Sequence, residues 1–174
     1  MTVLTPIPLT ADAFAPYGHV LTRPTGPGRV DYSAFSQNLR GSAAEVCFRT
    51  SMTMPSPLPL VTRTMERHEF SSQSFLPVDV ARYLVLVAPH GADGRPDPEQ
   101  LTLFLAKGDQ GISYNANVWH HPMTVLDRPA IFATVMFLDG GDKDEEFVDL
   151  PHDVTMTLGR GRMPRVSLKP EPLY

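Results

Sequence analysis

Proline restricts this chain more than any other residue: 18 of its 174 positions are proline, and 12 more are glycine. Inside a helix a proline removes a hydrogen-bond donor and clashes with the preceding turn; inside a central strand it removes a ladder donor. Such residues collect in turns and at strand starts. Long helices are therefore excluded, and many short strands joined by defined turns are expected.

Residues 46–52, 62–70, 82–88, 101–106 and 130–138 are each of strand length and rich in β-branched or aromatic side chains. Turn signals separate them at Gly91-Ala92-Asp93-Gly94-Arg95-Pro96, Lys107-Gly108-Asp109-Gln110-Gly111 and Asp139-Gly140-Gly141. Arg23-Pro24-Thr25-Gly26-Pro27-Gly28 reads as a loop, and Met54-Pro55-Ser56-Pro57-Leu58-Pro59 as a second, stiff and extended one. One short helix is expected after Leu9, with Thr10 as N-cap and Pro16 and Gly18 ending it. Asp97-Pro98-Glu99 offers one further helical turn. With so little helix between strands, an antiparallel sandwich or barrel is expected rather than a parallel sheet.

At this length one domain spanning 1–174 is expected, with residues from about 152 onward forming a C-terminal extension, ordered in part, that carries Gly159-Arg160-Gly161-Arg162. Hydrophobic residues make up 42% and charged residues 20%, the balance of an ordinary globular chain. The formal net charge is -4 and the basic residues are scattered, so nucleic acid is not an expected partner. No apolar run approaches the roughly 20 residues of a membrane span, and the first ten residues lack a basic start with a long apolar run. A cytoplasmic protein acting on a small molecule is expected. Cys47 is the one cysteine; it has no disulfide partner and no zinc-finger spacing, and reads as a small buried apolar residue.

Two segments concentrate the chemistry. In Thr64-Met65-Glu66-Arg67-His68-Glu69-Phe70 strand alternation puts Glu66 and His68 on one face and Arg67 and Glu69 on the other. Gln73 follows His68 by five residues, just before Phe75-Leu76-Pro77, so a turn and a second strand would bring its amide back toward them. Residues 111–122 hold Tyr114, Asn115, Asn117, Trp119, His120 and His121, including the one tryptophan and two of the six histidines. Acid–base catalysis and metal binding both need several nitrogen and oxygen groups to converge, which ordinary packing does not.

The spacing Glu66-x-His68-x4-Gln73 resembles the first metal motif of cupin barrels, His-x-His-x4-Glu, and Asn115-x-Asn117-x2-His120 resembles the second, Pro-x-Gly-x2-His. The literal runs Glu66-Arg67-His68, Ser72-Gln73-Ser74-Phe75-Leu76-Pro77, Gln110-Gly111-Ile112-Ser113-Tyr114 and Val118-Trp119-His120-His121-Pro122 closely resemble the ureidoglycolate lyase family, also called ureidoglycolate hydrolases. The likeness covers roughly residues 58–135, and residues 9–20 resemble that family's opening helix and Tyr-Gly turn. It implies a mostly β, cupin-type antiparallel barrel (a jelly roll) with a short N-terminal helix, usually a homodimer. It also implies a carbon–nitrogen lyase of amidine-lyase type, splitting ureidoglycolate into glyoxylate and urea in purine and allantoin degradation.

That reaction needs a base for the hydroxyl proton and an acid for the departing nitrogen. His120 and His68 are the expected proton carriers, Glu66 orients an imidazole, and Tyr114 donates a hydrogen bond to developing charge. Gln73, Arg67, Trp119 and His121 are expected to contact substrate, with Trp119 walling the cavity. The same set offers an alternative use, a divalent metal held by Glu66, His68, Gln73 and His120. The family typically carries His-Arg where this chain has Asn115-Ala116, and Asp-Arg where it has Met136-Phe137. An anionic substrate wants an Arg or Lys clamp, for which Arg67, Arg82, Arg49 and Lys107 all stay open. Two other readings are carried alongside: a related cupin enzyme acting on another small ureido or carbonyl compound, and a non-catalytic small-molecule-binding cupin.

Overall fold

The computed structural model describes residues 2–159. In chain order the elements are β1 (Thr2–Leu4), β2 (Ile7–Pro8), helix α1 (Ala11–Phe14), β3 (Gly18–Thr22), β4 (Glu45–Thr53), β5 (Leu60–Arg67), β6 (Gln73–Asp79) and β7 (Arg82–Ala88). They continue with β8 (Thr102–Lys107), β9 (Gln110–Tyr114), β10 (Trp119–His120), β11 (Thr124–Leu126), β12 (Ala130–Leu138) and β13 (Glu146–Met156). The chain is mostly β, as the prolines require. The Thr10 hydroxyl caps α1, accepting from the Ala13 N–H at 3.2 Å. Asp97 holds a turn rather than a helix: its carboxylate accepts from the Glu99 N–H at 2.9 Å.

Two sheets form. The larger runs β1-β13-β5-β10-β7-β8-β2, with β11 also on β7, and the smaller runs β3-β9-β6-β12-β4. Pairing is antiparallel except for β1 on β13 and β2 on β8. The edge strands β1 and β2 are joined by Thr5-Pro6 alone, so the two edges of the larger sheet must come together and the sheet curls.

The curl creates two cores. Its inside holds Met65, Leu84, Leu86, Leu103, Trp119 and Met156, while Phe14, Tyr83, Val85, Val87, Ile112 and Phe132 fill the space between the sheets. Strand β7 serves both, sending Leu84 and Leu86 into the curl and Tyr83, Val85 and Val87 into the inter-sheet space. Its unbroken apolar sequence is the signature of a strand buried on both faces. Each such side chain contributes about 1.5–3 kcal/mol by burial. The result is the cupin-type two-sheet barrel, with one short α-helix among the described residues.

Two local expectations change. Residues 107–111 read as a turn, yet β9 starts at Gln110, because Gly111 lets the β6 backbone approach closely: a Cβ there would stand 2.6 Å from the Phe75 carbonyl oxygen. Past residue 152 strand β13 continues through Met156, and both Val154 and Met156 are fully buried in the curl. Arg160, Gly161 and Arg162 lie outside the described residues. Cys47 is half-buried rather than buried, because β4 is the edge of its sheet.

Candidate active site

Strand pairing sets Glu66 of β5 opposite His120 of β10, and His120 opposite Val87 of β7. Directly opposed residues share a face, and Val87 belongs to the inter-sheet core, so Glu66 and His120 face the space between the sheets. His68 stands one residue past the end of β5, where the Asn117 N–H holds its carbonyl at 2.8 Å. Asn117 takes a left-handed conformation there, φ 68°, which asparagine tolerates. Gln73 opens β6 in the other sheet, opposite Tyr114 of β9. The two sheets thus bring the two sequence segments together.

The site is tight and buried. His120 Nε2 lies 3.2 Å from Glu66 Oε1 and 3.2 Å from Gln73 Oε1. Ligating atoms of Glu66, His68 and His120 all fall within 4.8 Å of one another. His68 and His120 are each 2% exposed, Gln73 4% and Glu66 9%. The Tyr114 ring stacks on the His120 ring with centroids 4.0 Å apart.

Backbone carbonyls settle the tautomers, because a carbonyl only accepts. His120 Nδ1–H donates to the Val118 oxygen at 2.9 Å, and His68 Nδ1–H donates to the Asp144 oxygen at 2.7 Å. Each ring therefore turns Nε2 inward. His68 Nε2 is buried without a hydrogen-bond partner, and His120 Nε2 faces two oxygens that both accept in this arrangement. Four lone-pair atoms converge, and in this arrangement no donor stands among them. A further proton, a turned Gln73 amide or a bound cation each supplies the missing partner.

The electrostatics agree. Burial alone would raise the Glu66 carboxyl, but the His120 hydrogen bond and the three nearby imidazoles outweigh it and hold the group below its ordinary value. Burial, then the charge of His120, lowers the His68 imidazole, which stays neutral near pH 7. Burial raises the Tyr114 phenol far above its ordinary value, so it keeps its proton.

A sequence profile described as ureidoglycolate lyase matches residues 1–157. The chain belongs to the ureidoglycolate lyase family. It is similar to a ureidoglycolate lyase of Rhizobium etli (strain CIAT 652), 36% identical over 148 residues that cover 80% of this chain and 87% of the relative. It is also similar to one of Azotobacter vinelandii (strain DJ / ATCC BAA-1303), 36% identical over 135 residues covering 72% and 80%. Among solved structures it matches a dTDP sugar isomerase of Desulfovibrio desulfuricans G20, with TM-score 0.46, 19% identity, and 77% and 83% coverage. It also matches the oxalate decarboxylase of Bacillus subtilis, with TM-score 0.40, 11% identity, and 84% and 30% coverage.

Within this member of the ureidoglycolate lyase family, two residues expected to contact substrate stand elsewhere, and a third has its ring nitrogens occupied. Trp119 precedes His120 on β10, so alternation turns it into the curl of the larger sheet, where its indole N–H donates to the Gly94 oxygen at 3.0 Å. It does not wall the site. Arg67 lies on that same far side, its guanidinium 4.5 Å over the Trp119 ring and bonded to Glu146 and Asn117. His121 has both ring nitrogens engaged, Nδ1 with the Pro122 oxygen at 2.7 Å and Nε2 with the Thr62 hydroxyl at 2.9 Å. Tyr114 does reach His120, but what it presents is its ring face.

Sequence reading missed the loop that holds His68. Arg40 pairs with Asp139 and Asp144, and the Asp144 carboxylate also accepts from the Asp139 and Gly140 N–H groups. That knot fixes the Asp144 carbonyl under His68. Its signal in the sequence was Asp139-Gly140-Gly141, legible as a turn but not as a support. Met136, noted in the sequence as apolar where the family carries charge, stands beside the Gln73 amide nitrogen at 3.7 Å.

Proposed function

We propose that this protein is a ureidoglycolate lyase, releasing glyoxylate and urea in the cytoplasm as a step of purine and allantoin degradation. Family membership supplies the substrate, and the observation that carries the chemistry is the buried convergence of Glu66, His68, Gln73 and His120. Ureidoglycolate is a hemiaminal. Its cleavage moves the hydroxyl proton to a base, forms the aldehyde C=O, breaks the C–N bond, and delivers a proton to the urea nitrogen. No covalent intermediate is needed.

His68 offers a neutral imidazole with a free Nε2 lone pair, suited to taking the hydroxyl proton. His120 offers the opposite group. An Nε2 proton held between Glu66 and Gln73 is available to the departing nitrogen. Glu66 stabilises the imidazolium, Gln73 orients it, and Tyr114 seals the ring against the core. Burial keeps bulk water from competing for either proton.

The same donor set suits a divalent cation, since an orphaned His68 Nε2 and a His120 Nε2 facing two oxygens are what a bound ion would satisfy. Glu66, His68, His120 and the Gln73 amide oxygen would hold it. When bound, such an ion supplies Lewis acidity to a substrate oxygen.

The homodimer is also a proposal. On the outer face of the smaller sheet Val46, Phe48 and Met52 of β4, which are 63%, 70% and 66% exposed, line up with Phe137, Val135 and Ile131 of β12. An uncharged stripe of this kind is self-complementary across a two-fold axis. Light scattering should give twice the chain mass, and Phe48→Asp should give the single mass; a monomeric unmutated protein at micromolar concentration removes the dimer. For the reaction itself, glyoxylate release from ureidoglycolate followed through a coupled reductase is decisive. No release by folded protein, with divalent metal supplied, ends the lyase reading and favours another small ureido compound.

A further inference from the structure

We infer that Arg49, carried by the edge strand β4 outside both site segments, is the cation that receives the substrate's carboxylate and so restricts this enzyme to anionic substrates. The inference rests on the lyase reading for the identity of the substrate, and on geometry for the site.

A substrate carboxylate buried at this site needs a cation to receive it. The other candidates are committed elsewhere. Arg67 lies on the far face of the larger sheet, paired with Glu146. Arg82 pairs with Asp127, and it sits five residues along β7 from Val87, the neighbour of His120, which is about 16 Å of strand. Lys107 is opposite Arg82 and shares that distance. Arg40 is neutralised by two carboxylates, Asp139 and Asp144.

Arg49 differs in placement and in partners. In the β4–β12 pairing it stands opposite Thr134, and Cys47 stands opposite Met136. Thr134 and Met136 are both buried, so Arg49 shares the inward face, yet as an edge residue it remains exposed. Its Nη2 lies 3.8 Å from the Met136 sulfur, the same sulfur lies 3.7 Å from Gln73 Nε2, and Gln73 Oε1 lies 3.2 Å from His120 Nε2. The guanidinium is therefore linked to the catalytic imidazole through two side chains. Among the described residues Arg49 pairs with no carboxylate. A thioether is a weak acceptor, so a carboxylate displaces it readily and takes the two parallel N–H donors of the fork.

In ureidoglycolate the carboxylate is bonded directly to the reacting carbon. Anchoring it from the β4 side leaves the hydroxyl and the ureido nitrogen to meet His68 and His120. Arg49 is thus a binding group, acting on affinity more than on proton transfer.

The test compares Arg49→Gln and Arg49→Lys with the unmutated protein, using turnover of ureidoglycolate and, separately, calorimetric binding of glyoxylate and of urea. Arg49→Gln should raise KM and weaken glyoxylate binding by about 10- to 100-fold, with kcat changed much less and urea binding unchanged, because urea has no carboxylate. Arg49→Lys should recover part of the loss. Exposure of Arg49 makes folding of both variants expected, and equal melting temperatures verify it. Turnover by the unmutated protein with KM and glyoxylate affinity unaltered in Arg49→Gln overturns the inference and leaves the lyase reading intact. Arg49-dependent glyoxylate binding without turnover sinks the lyase reading and keeps the carboxylate site. Absence of both turnover and glyoxylate binding in the unmutated protein overturns both.

Discussion

Glu66→Gln separates the chemistry of the site from its stability. The substitution keeps size and shape but removes the charge 3.2 Å from His120 Nε2. The Nδ1 nitrogen of His120 already donates to Val118, so a neutral ring has only a lone pair at Nε2. A glutamine amide turns its NH2 toward that lone pair, which makes His120 a satisfied acceptor rather than a proton donor. Loss of a positioned general acid costs about 10²- to 10⁴-fold in kcat.

Stability should move little. A charged hydrogen bond worth about 1.5–3 kcal/mol is replaced by a neutral one of about 0.5–1.5 kcal/mol, while the burial penalty that opposes Glu66 ionisation disappears. The net change should stay within about 1–2 kcal/mol, or a few degrees of melting temperature at this chain length. The coupled glyoxylate assay and thermal denaturation on one preparation read both quantities. Activity within about threefold of the unmutated enzyme would refute the assignment of Glu66. A collapse in stability would show instead that Glu66 is chiefly structural.

Acid should destabilise the fold in two stages. His68 and His121 are held below the ordinary imidazole value of 6.5, chiefly by burial, so the unfolded chain takes up these protons first as pH falls through that value. Glu66, held below 4.5, adds a loss of the same sign lower down. Melting temperatures that stay flat or rise between pH 7 and 5.5 would contradict this, and His68→Gln should flatten the upper stage. Gly108→Ala should destabilise by about 2–4 kcal/mol, read by urea denaturation, because its Cβ would sit 1.9 Å from the Val80 carbonyl oxygen; an unchanged midpoint would rule out that close approach. If a cation completes the site, elemental analysis should find about one divalent ion per chain, its binding should weaken as pH falls below the imidazole range, and chelation should remove activity. Full activity in metal-free protein leaves only the acid–base reading of the cluster.

What the sequence by itself determined is local. Proline and glycine spacing set where strands end, and the twofold alternation of a strand places Glu66 apart from Arg67 and His120 apart from Trp119 whatever the strands pair with. The Thr10 cap was legible for the same reason: it depends on residues within a few positions. Alternation also sets Trp119 on the face opposite His120, a step the expectation of a Trp119 wall did not take. Alternation does not say which of two faces is which. Only the pairing of β10 with β5 and β7 turned Glu66 and His120 toward the inter-sheet space and Trp119 and Arg67 into the curl. Long-range contact likewise set the Asp144 carbonyl under His68, 76 residues away, and brought the Arg49 guanidinium to Met136 across 87 residues. These partners carry no local pattern, because a hydrogen bond between distant segments constrains geometry without constraining the residues that lie between them.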